Sequence, residues 1–308
     1  MTGPRRTPRL GIALGGGAAR GWAHIGVLNA LGEIGLKPDV VAGTSVGAVV
    51  GAAYASGHLS DFERWVRKLS RGGILRLLDV ALGGGGGLIE GRRLAGLFRE
   101  RFGDLDFAQL ERPFAVVATE LDTGREVWLR EGSVVEALRA SVALPGLFTP
   151  AKLDGRWLLD GGLVNPVPVT LCHALGADVV IAVNLDGDGT GGRDRLPVRD
   201  MEDPGQGDED EEGLLERLTG SLRERAATVL APFRNAEPDP GLFDILARSI
   251  YIMQVRITRS RLVGDPPDVV LSPRVRHIAL MEFDRAAETI EEGARTVRRM
   301  QPVLQDLL

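Results

Sequence analysis

The sequence predicts an α/β fold built on parallel strands, and three features carry that prediction. Two short apolar runs, RLGIAL at 9–14 and DVVA at 39–42, each lead into a glycine-rich turn and then a helical pattern. A further apolar run, VVIAV at 179–183, follows another glycine turn and helix, so the sheet continues beyond it. Strands separated by helices need crossover connections, and these put helices on the faces of a parallel sheet.

In chain order, 9–14 is a buried strand ended by Gly15, Gly16 and Gly17. Ile25, Leu28 and Leu31 then recur at helical spacing, and Gly35 and Pro38 close that helix. Strand 39–42 runs into Gly43-Thr44-Ser45-Val46-Gly47 and a small-residue helix to about Ser56. One or two helices cover 60–82, and five glycines at 83–87 form a loop, with a lid hinge as the alternative. A helix at 91–102, strands at 114–119 and 126–130 and a helix at 133–141 follow. Strand 156–159 ends in Asp160-Gly161-Gly162, and 167–175 is helical. Helices are expected at 213–230, 242–260 and 283–300, with a last strand at 268–271. The chain has no internal repeat and reads as one domain over 1–308: core motifs at 9–185, an acidic disordered insertion at 186–212, and a helical and strand part at 213–308.

Charge and composition narrow the function. Seven acids crowd into 202–212, and without them the rest of the chain nets +2 rather than −5, compatible with an anionic lipid surface. Only 5% of residues are aromatic, which argues against a base-stacking nucleic-acid platform. The single Cys172 excludes an intramolecular disulfide and a multi-cysteine zinc site, and four scattered histidines without HExxH give no metal motif. No cofactor is expected. The chain has no run of about 18 apolar residues, so no span is expected. The cytoplasm is the expected compartment, with peripheral contact at the inner membrane face; 74–82 (ILRLLDVAL) reads as a core helix or as an apolar cap meeting lipid.

The chemistry sits in three glycine turns. Gly43-x-Ser45-x-Gly47 between strand and helix suits a nucleophile elbow, where glycines two residues on either side remove Cβ atoms that would clash. Gly and Ser are common, so the pentapeptide alone also fits an ordinary βα turn. Gly15-Gly16-Gly17-Ala18-Ala19-Arg20-Gly21 lacks the Lys-Ser or Lys-Thr of a phosphate loop, and Arg20 stands where a dinucleotide fingerprint wants a small residue. An oxyanion hole fits better: amides of Gly16, Gly17 and Ala18 at a helix start, on the sheet edge that carries Ser45. For the base, Ser45…Asp160…His277 matches a triad order, but His277 has no loop to present it. His24, His58 and His173 read as structural. Asp160, at a strand end beside Gly161 and Gly162, is the better base, provided burial raises its pKa; in isolation Asp-Gly-Gly also reads as a turn.

Taken together, GGGAARGWAHIGVL (15–28), GTSVGA (43–48) and DGGLVNPVPV (160–169) resemble the patatin-like phospholipase family, in its bacterial and neuropathy-target-esterase-like branch. ASVALPGLFTP (140–150), RSIYIMQVRITRSRL (248–262) and PDVVLSPRV (267–275) are similar to that branch as well. The resemblance implies a three-layer α/β/α patatin-like fold with a mostly parallel central sheet, and a Ser-Asp dyad in place of a triad. It makes Ser45 the nucleophile and Asp160 the base, with an oxyanion loop at Gly15–Ala18 beside Arg20 and Gly21 and a further donor at Val46. Here Ala18 replaces the loop's middle glycine. The substrate implied is a phospholipid, lysophospholipid or other fatty-acyl ester. A non-catalytic patatin-fold protein that binds lipid or a partner is the alternative.

Overall fold

The computed structural model describes residues 7–77, 79, 87–187 and 242–307. The acidic stretch at 202–212, the helix expected at 213–230 and the glycines at 83–86 lie outside them. Of the 74–82 segment, Ile74 is buried, and Asp79 accepts the amides of Gly91 and Arg92 at 2.8 Å each, so it caps a helix.

The chain opens with β1 (Leu10–Leu14), a 3₁₀ turn at 18–22 and α1 (Ala23–Glu33). Then come β2 (Val40–Thr44), α2 (Val46–Ala55), α3 (Leu59–Val66) and α4 (Arg71–Leu77). Next are β3 (Gly87–Ile89), α5 (Arg92–Phe102), β4 (Phe114–Glu120), β5 (Glu126–Leu129) and α6 (Val134–Ser141). Three short strands follow, β6 (Gly146–Phe148), β7 (Ala151–Leu153) and β8 (Arg156–Asp160), then α7 (Val169–Ala174) and β9 (Val179–Val183). The C-terminal part holds α8 (Leu242–Gly264), β10 (Val269–Leu271) and α9 (Ala286–Gln305). The last helix continues past the predicted end at 300 and past Pro302, because Leu304 is buried and holds the final turn in the core.

The main sheet has the order β10-β9-β1-β2-β4-β8-β7, with β5 also on β4. Pairing is parallel from β10 to β4 and antiparallel where β4 meets β5 and β8 and where β8 meets β7. Along each central strand the side chains alternate between two cores. Ile12, Leu14, Val41, Val116, Ile181 and Val183 face a core shared with α1, α2 and α9. Ala13, Val40, Ala42, Ala115, Val117, Val180 and Ala182 face the other, with Leu171 and Cys172 of α7. The central strands are therefore covered on both faces, which is why they read as continuous apolar runs. This is the three-layer α/β/α arrangement.

Candidate active site

The register of β4 brings the two key turns together. β2 pairs with Phe114–Val117, and Thr44 sits opposite Val117. β8 pairs with Ala118–Glu120, and Asp160 sits opposite Ala118. β5 overlaps both stretches, taking Val116 to Thr119, so it must occupy the other edge. Thus β2 leaves one edge of β4 at the residue before Ser45, and β8 arrives at the next register position with Asp160. Neighbouring β1 pairs Leu14 with Gly43, which carries the glycine loop alongside the same turn.

Ser45 Oγ donates to Asp160 Oδ2 at 2.7 Å, and the amide of Gly162 donates to Asp160 Oδ1 at 2.7 Å. Ser45 is half-buried, whereas Asp160 is 2% exposed. Burial pushes the Asp160 carboxyl up from 3.8 to about 6, and the hydrogen bonds from Ser45 and Gly162 offset part of that rise. At pH 7 it is therefore mostly ionised yet far more basic than a solvated aspartate. Ser45 itself holds φ 54° and ψ −125°, a conformation that costs on the order of 1–3 kcal/mol in a non-glycine residue. The glycines around it relieve crowding by backbone. A Cβ on Gly43 would stand 2.4 Å from Ala48 Cα, and one on Gly47 would stand 2.2 Å from the Leu14 carbonyl oxygen.

The structure sorts the glycine loop. Gly15 N–H donates to Val183 O at 3.1 Å and Gly16 N–H to Pro166 O at 2.9 Å, so both amides point into the protein. Arg20 N–H donates to Gly17 O, and Ala19 N–H to Leu280 O. The amides of Gly17 and Ala18 have no protein acceptor among the described residues, nor does that of Val46 at the start of α2. Gly17 at φ 155° and Ala18 at φ 49° make the bend that frees them. The Arg20 side chain stands apart from the donors: it is buried, its Nε donates to Ile278 O at 2.9 Å, and its guanidinium lies 3.5 Å from Asp186 and over the Tyr251 ring. A buried cation must be paired, and these partners lie away from Ser45's own contacts. Gly21 packs under Val46, whose Cγ1 lies 2.1 Å from where its Cβ would be. Gly161 is pressed as closely against the Val117 carbonyl.

The histidines fall outside the Ser45–Asp160 contact. His277 pairs with Glu288 on the surface at 2.6 Å, and His173 contacts Ala177 O. With Ser45 bonded directly to Asp160, no imidazole stands between them. His24 is fully buried, and its Nε2 donates to Gly15 O at 2.7 Å. Burial lowers its pKa to about 4, so it is neutral, and the carbonyl partner fixes the proton on Nε2.

The family model described as Patatin-like phospholipase matches residues 12–173, which include both turns and Asp160. The chain belongs to the patatin-like phospholipase family. "Uncharacterized NTE family protein Rv1063c" of Mycobacterium tuberculosis (strain ATCC 25618 / H37Rv) is 33% identical over 93% of this chain and 89% of its own length. "Lysophospholipase nte1" of Emericella nidulans is 30% identical over 92% of this chain but only 17% of its own length. "Neuropathy target esterase sws" of Drosophila melanogaster is 34% identical over 57% of this chain and 13% of its own. The solved structure of VipD from Legionella pneumophila gives a TM-score of 0.38 at 15% identity, covering 98% of this chain and 77% of that one.

In this patatin-like chain three supporting residues escaped the sequence reading. Ser141 Oγ accepts the Ser45 amide at 2.8 Å and donates to Val117 O at 2.7 Å, so it bolts the turn to β4. Thr44 Oγ1 donates to Asn165 O and Thr119 Oγ1 to Asp160 O, each at 2.8 Å, tying the two turns together. Ser141 lies inside the family-like 140–150 stretch, which was the one signal that could have found it. Among the described residues, no group of three or more His, Cys, Asp or Glu is placed to hold a metal ion.

Proposed function

We propose that the protein is a serine acyl-ester hydrolase acting on phospholipids or lysophospholipids through Ser45 and Asp160. The observation that carries this reading is the 2.7 Å contact between Ser45 Oγ and a buried carboxylate, beside a bend with two amides that have no acceptor among the described residues. Membership of the patatin-like phospholipase family and similarity to proteins named lysophospholipase support a lipid acyl substrate. Asp160 takes the Ser45 proton as Oγ attacks the ester carbonyl. The amides of Gly17 and Ala18, with Val46 behind the nucleophile, hold the oxyanion. The protonated Asp160 returns the proton to the departing alcohol or lysolipid, leaving an acyl-serine. It then deprotonates a water that releases the fatty acid.

The test is hydrolysis of p-nitrophenyl acyl esters together with labelling by a fluorophosphonate probe. Turnover and labelling that both disappear in Ser45→Ala are expected. An unlabelled wild type would turn the reading toward a lipid- or partner-binding protein without catalysis.

The raised Asp160 pKa sets the pH dependence. Only the ionised carboxylate accepts a proton, so kcat/KM should be level above about pH 7 and fall tenfold per unit below about pH 6. A profile still level at pH 5 would remove Asp160 as the base.

His24 holds the carbonyl end of the peptide whose amide end is Gly16, one residue before the free donors. His24→Phe keeps the ring and loses the donor. We expect kcat to drop about tenfold or more with KM little changed, since one misplaced oxyanion donor costs about 2.7–4 kcal/mol at most, and the thermal midpoint to fall modestly because Gly15 O is left without its donor. His24→Gln, which restores an amide donor, should recover part of the rate; equal rates in all three proteins would make His24 mere filling.

A further inference from the structure

Helix α8 (Leu242–Gly264) presents two unlike faces. Its inner face is fixed to the site. Gln254 Nε2 lies 2.4 Å from where a Cβ on Gly162 would be, and Gly162 is the residue whose amide holds Asp160. Arg261 pairs with Glu126 at 2.7 Å, and Glu126 accepts from Asn165 of the same turn at 2.7 Å. Tyr251, also inward, is buried against Arg20.

The outer face is apolar. Ile245 and Ile252 are seven residues apart, as are Leu246 and Met253, and seven residues bring a helix back to the same side. All four are between 37% and 51% exposed, although residues of this kind are mostly buried in folded chains. Charge along this helix is mostly positive, with Asp244 near its start as the one acid. From Ile245 to Gly264 there are four arginines and no aspartate or glutamate. Arg248 and Arg256 are exposed. Arg248 stands three residues from Ile245 and four from Ile252; Arg256 stands three from Met253 and four from Ile252. An apolar stripe with exposed arginines beside it matches the layering of an anionic bilayer, where acyl chains lie beneath phosphate.

We propose that the outer face of α8 docks the protein onto an anionic lipid surface. A helix is about 10–12 Å across, so the turn carrying Asp160 then stands about one helix width from the lipid. The proposal rests on the hydrolase reading only for what docking would deliver, and binding itself is measured without turnover. No covalent step is involved.

The experiment is co-sedimentation of the full chain with vesicles of phosphatidylcholine containing 30% phosphatidylglycerol and with pure phosphatidylcholine vesicles. Wild type, Ile252→Glu/Met253→Glu and Arg248→Glu/Arg256→Glu are compared, alongside turnover of a soluble p-nitrophenyl ester. The expected result is binding to the anionic vesicles that falls at least tenfold in both double variants, with soluble-ester kcat/KM within about twofold of wild type. Weak binding of wild type to both vesicles, or binding unchanged in the variants, overturns the proposal. So does a wild-type dimer in solution that the apolar variant splits, because the stripe would then be covered by a second copy. Loss of soluble-ester turnover in the wild type itself would strike the hydrolase reading and leave the docking result to stand alone.

Discussion

Ser45→Ala and Asp160→Asn should each abolish most ester turnover, but for different reasons, and the second should also change how stability depends on pH. Ser45→Ala removes the atom that forms the acyl bond, leaving only what the oxyanion amides and binding supply. A loss of about 10⁴-fold or more in kcat is expected. Asp160→Asn keeps the shape and the Gly162 contact but cannot take a proton, and a loss of about 10²–10⁴-fold follows from the usual contribution of a general base. Fluorophosphonate labelling should vanish in the first variant and slow sharply in the second. Stability then separates the roles. Asp160 has a folded pKa raised from 3.8 to about 6, so its stabilising protonated form is complete below about pH 4 and is lost as pH rises through 6. Ionising it in place costs about 3 kcal/mol at 1.36 kcal/mol per pH unit. The wild type should therefore lose stability relative to Asp160→Asn between pH 4 and pH 7, as read from urea midpoints at both pH values. A variant that loses activity with no such pH-dependent gap would show that Asp160 is not held ionised against burial.

Gly47→Ala is expected to be strongly damaging, and Gly96→Ala a mild improvement. The added Cβ at Gly47 would stand 2.2 Å from Leu14 O and 2.6 Å from Gly15 O, and both are backbone atoms at the end of β1, where the glycine bend begins. Neither can swing away as a side chain could, so the β1–α2 contact must open. A cost of about 3 kcal/mol or more is expected, with a thermal midpoint lower by about 6–12 °C and activity reduced in the protein that remains folded. At Gly96, on the exposed side of α5, nothing lies within 4 Å of the new Cβ. There the substitution only narrows the unfolded ensemble and should add about 0.5–1 kcal/mol. Thermal melts of the two variants side by side check both signs; a stable Gly47→Ala would mean the turn is looser than its contacts imply.

Much of the site was legible because its requirements are local. A serine on a strand-to-helix turn needs small neighbours at fixed spacing, and Gly43-x-Ser45-x-Gly47 meets that need within five residues. The glycine loop was legible in the same way, but its division of labour was not. The seven residues at 15–21 read as one glycine-rich loop, yet Gly15 and Gly16 turn their amides toward Val183 and Pro166, and Arg20 reaches to Ile278 and Asp186. Those acceptors lie more than 140 residues downstream, so no window around the loop contains them. Ser141 was missed for a related reason, since a serine closing an amphipathic helix has no pattern of its own until Val117 and Ser45 are beside it.

The sequence by itself determined the elements that obey a short-range rule. These are the apolar central strands, the turns that end them, the order of the three motifs and the pairing of serine with aspartate as chemical types. Tertiary structure alone decided where β8 joins β4, which edge it takes and in what direction, and hence that 115 residues of chain between Ser45 and Asp160 close to 2.7 Å. Strand direction and edge depend on hydrogen bonds between distant segments, and the energy of those bonds leaves no periodic trace in either partner. The same holds for burial: a carboxyl becomes a base near neutral pH only when the rest of the fold has taken its water away.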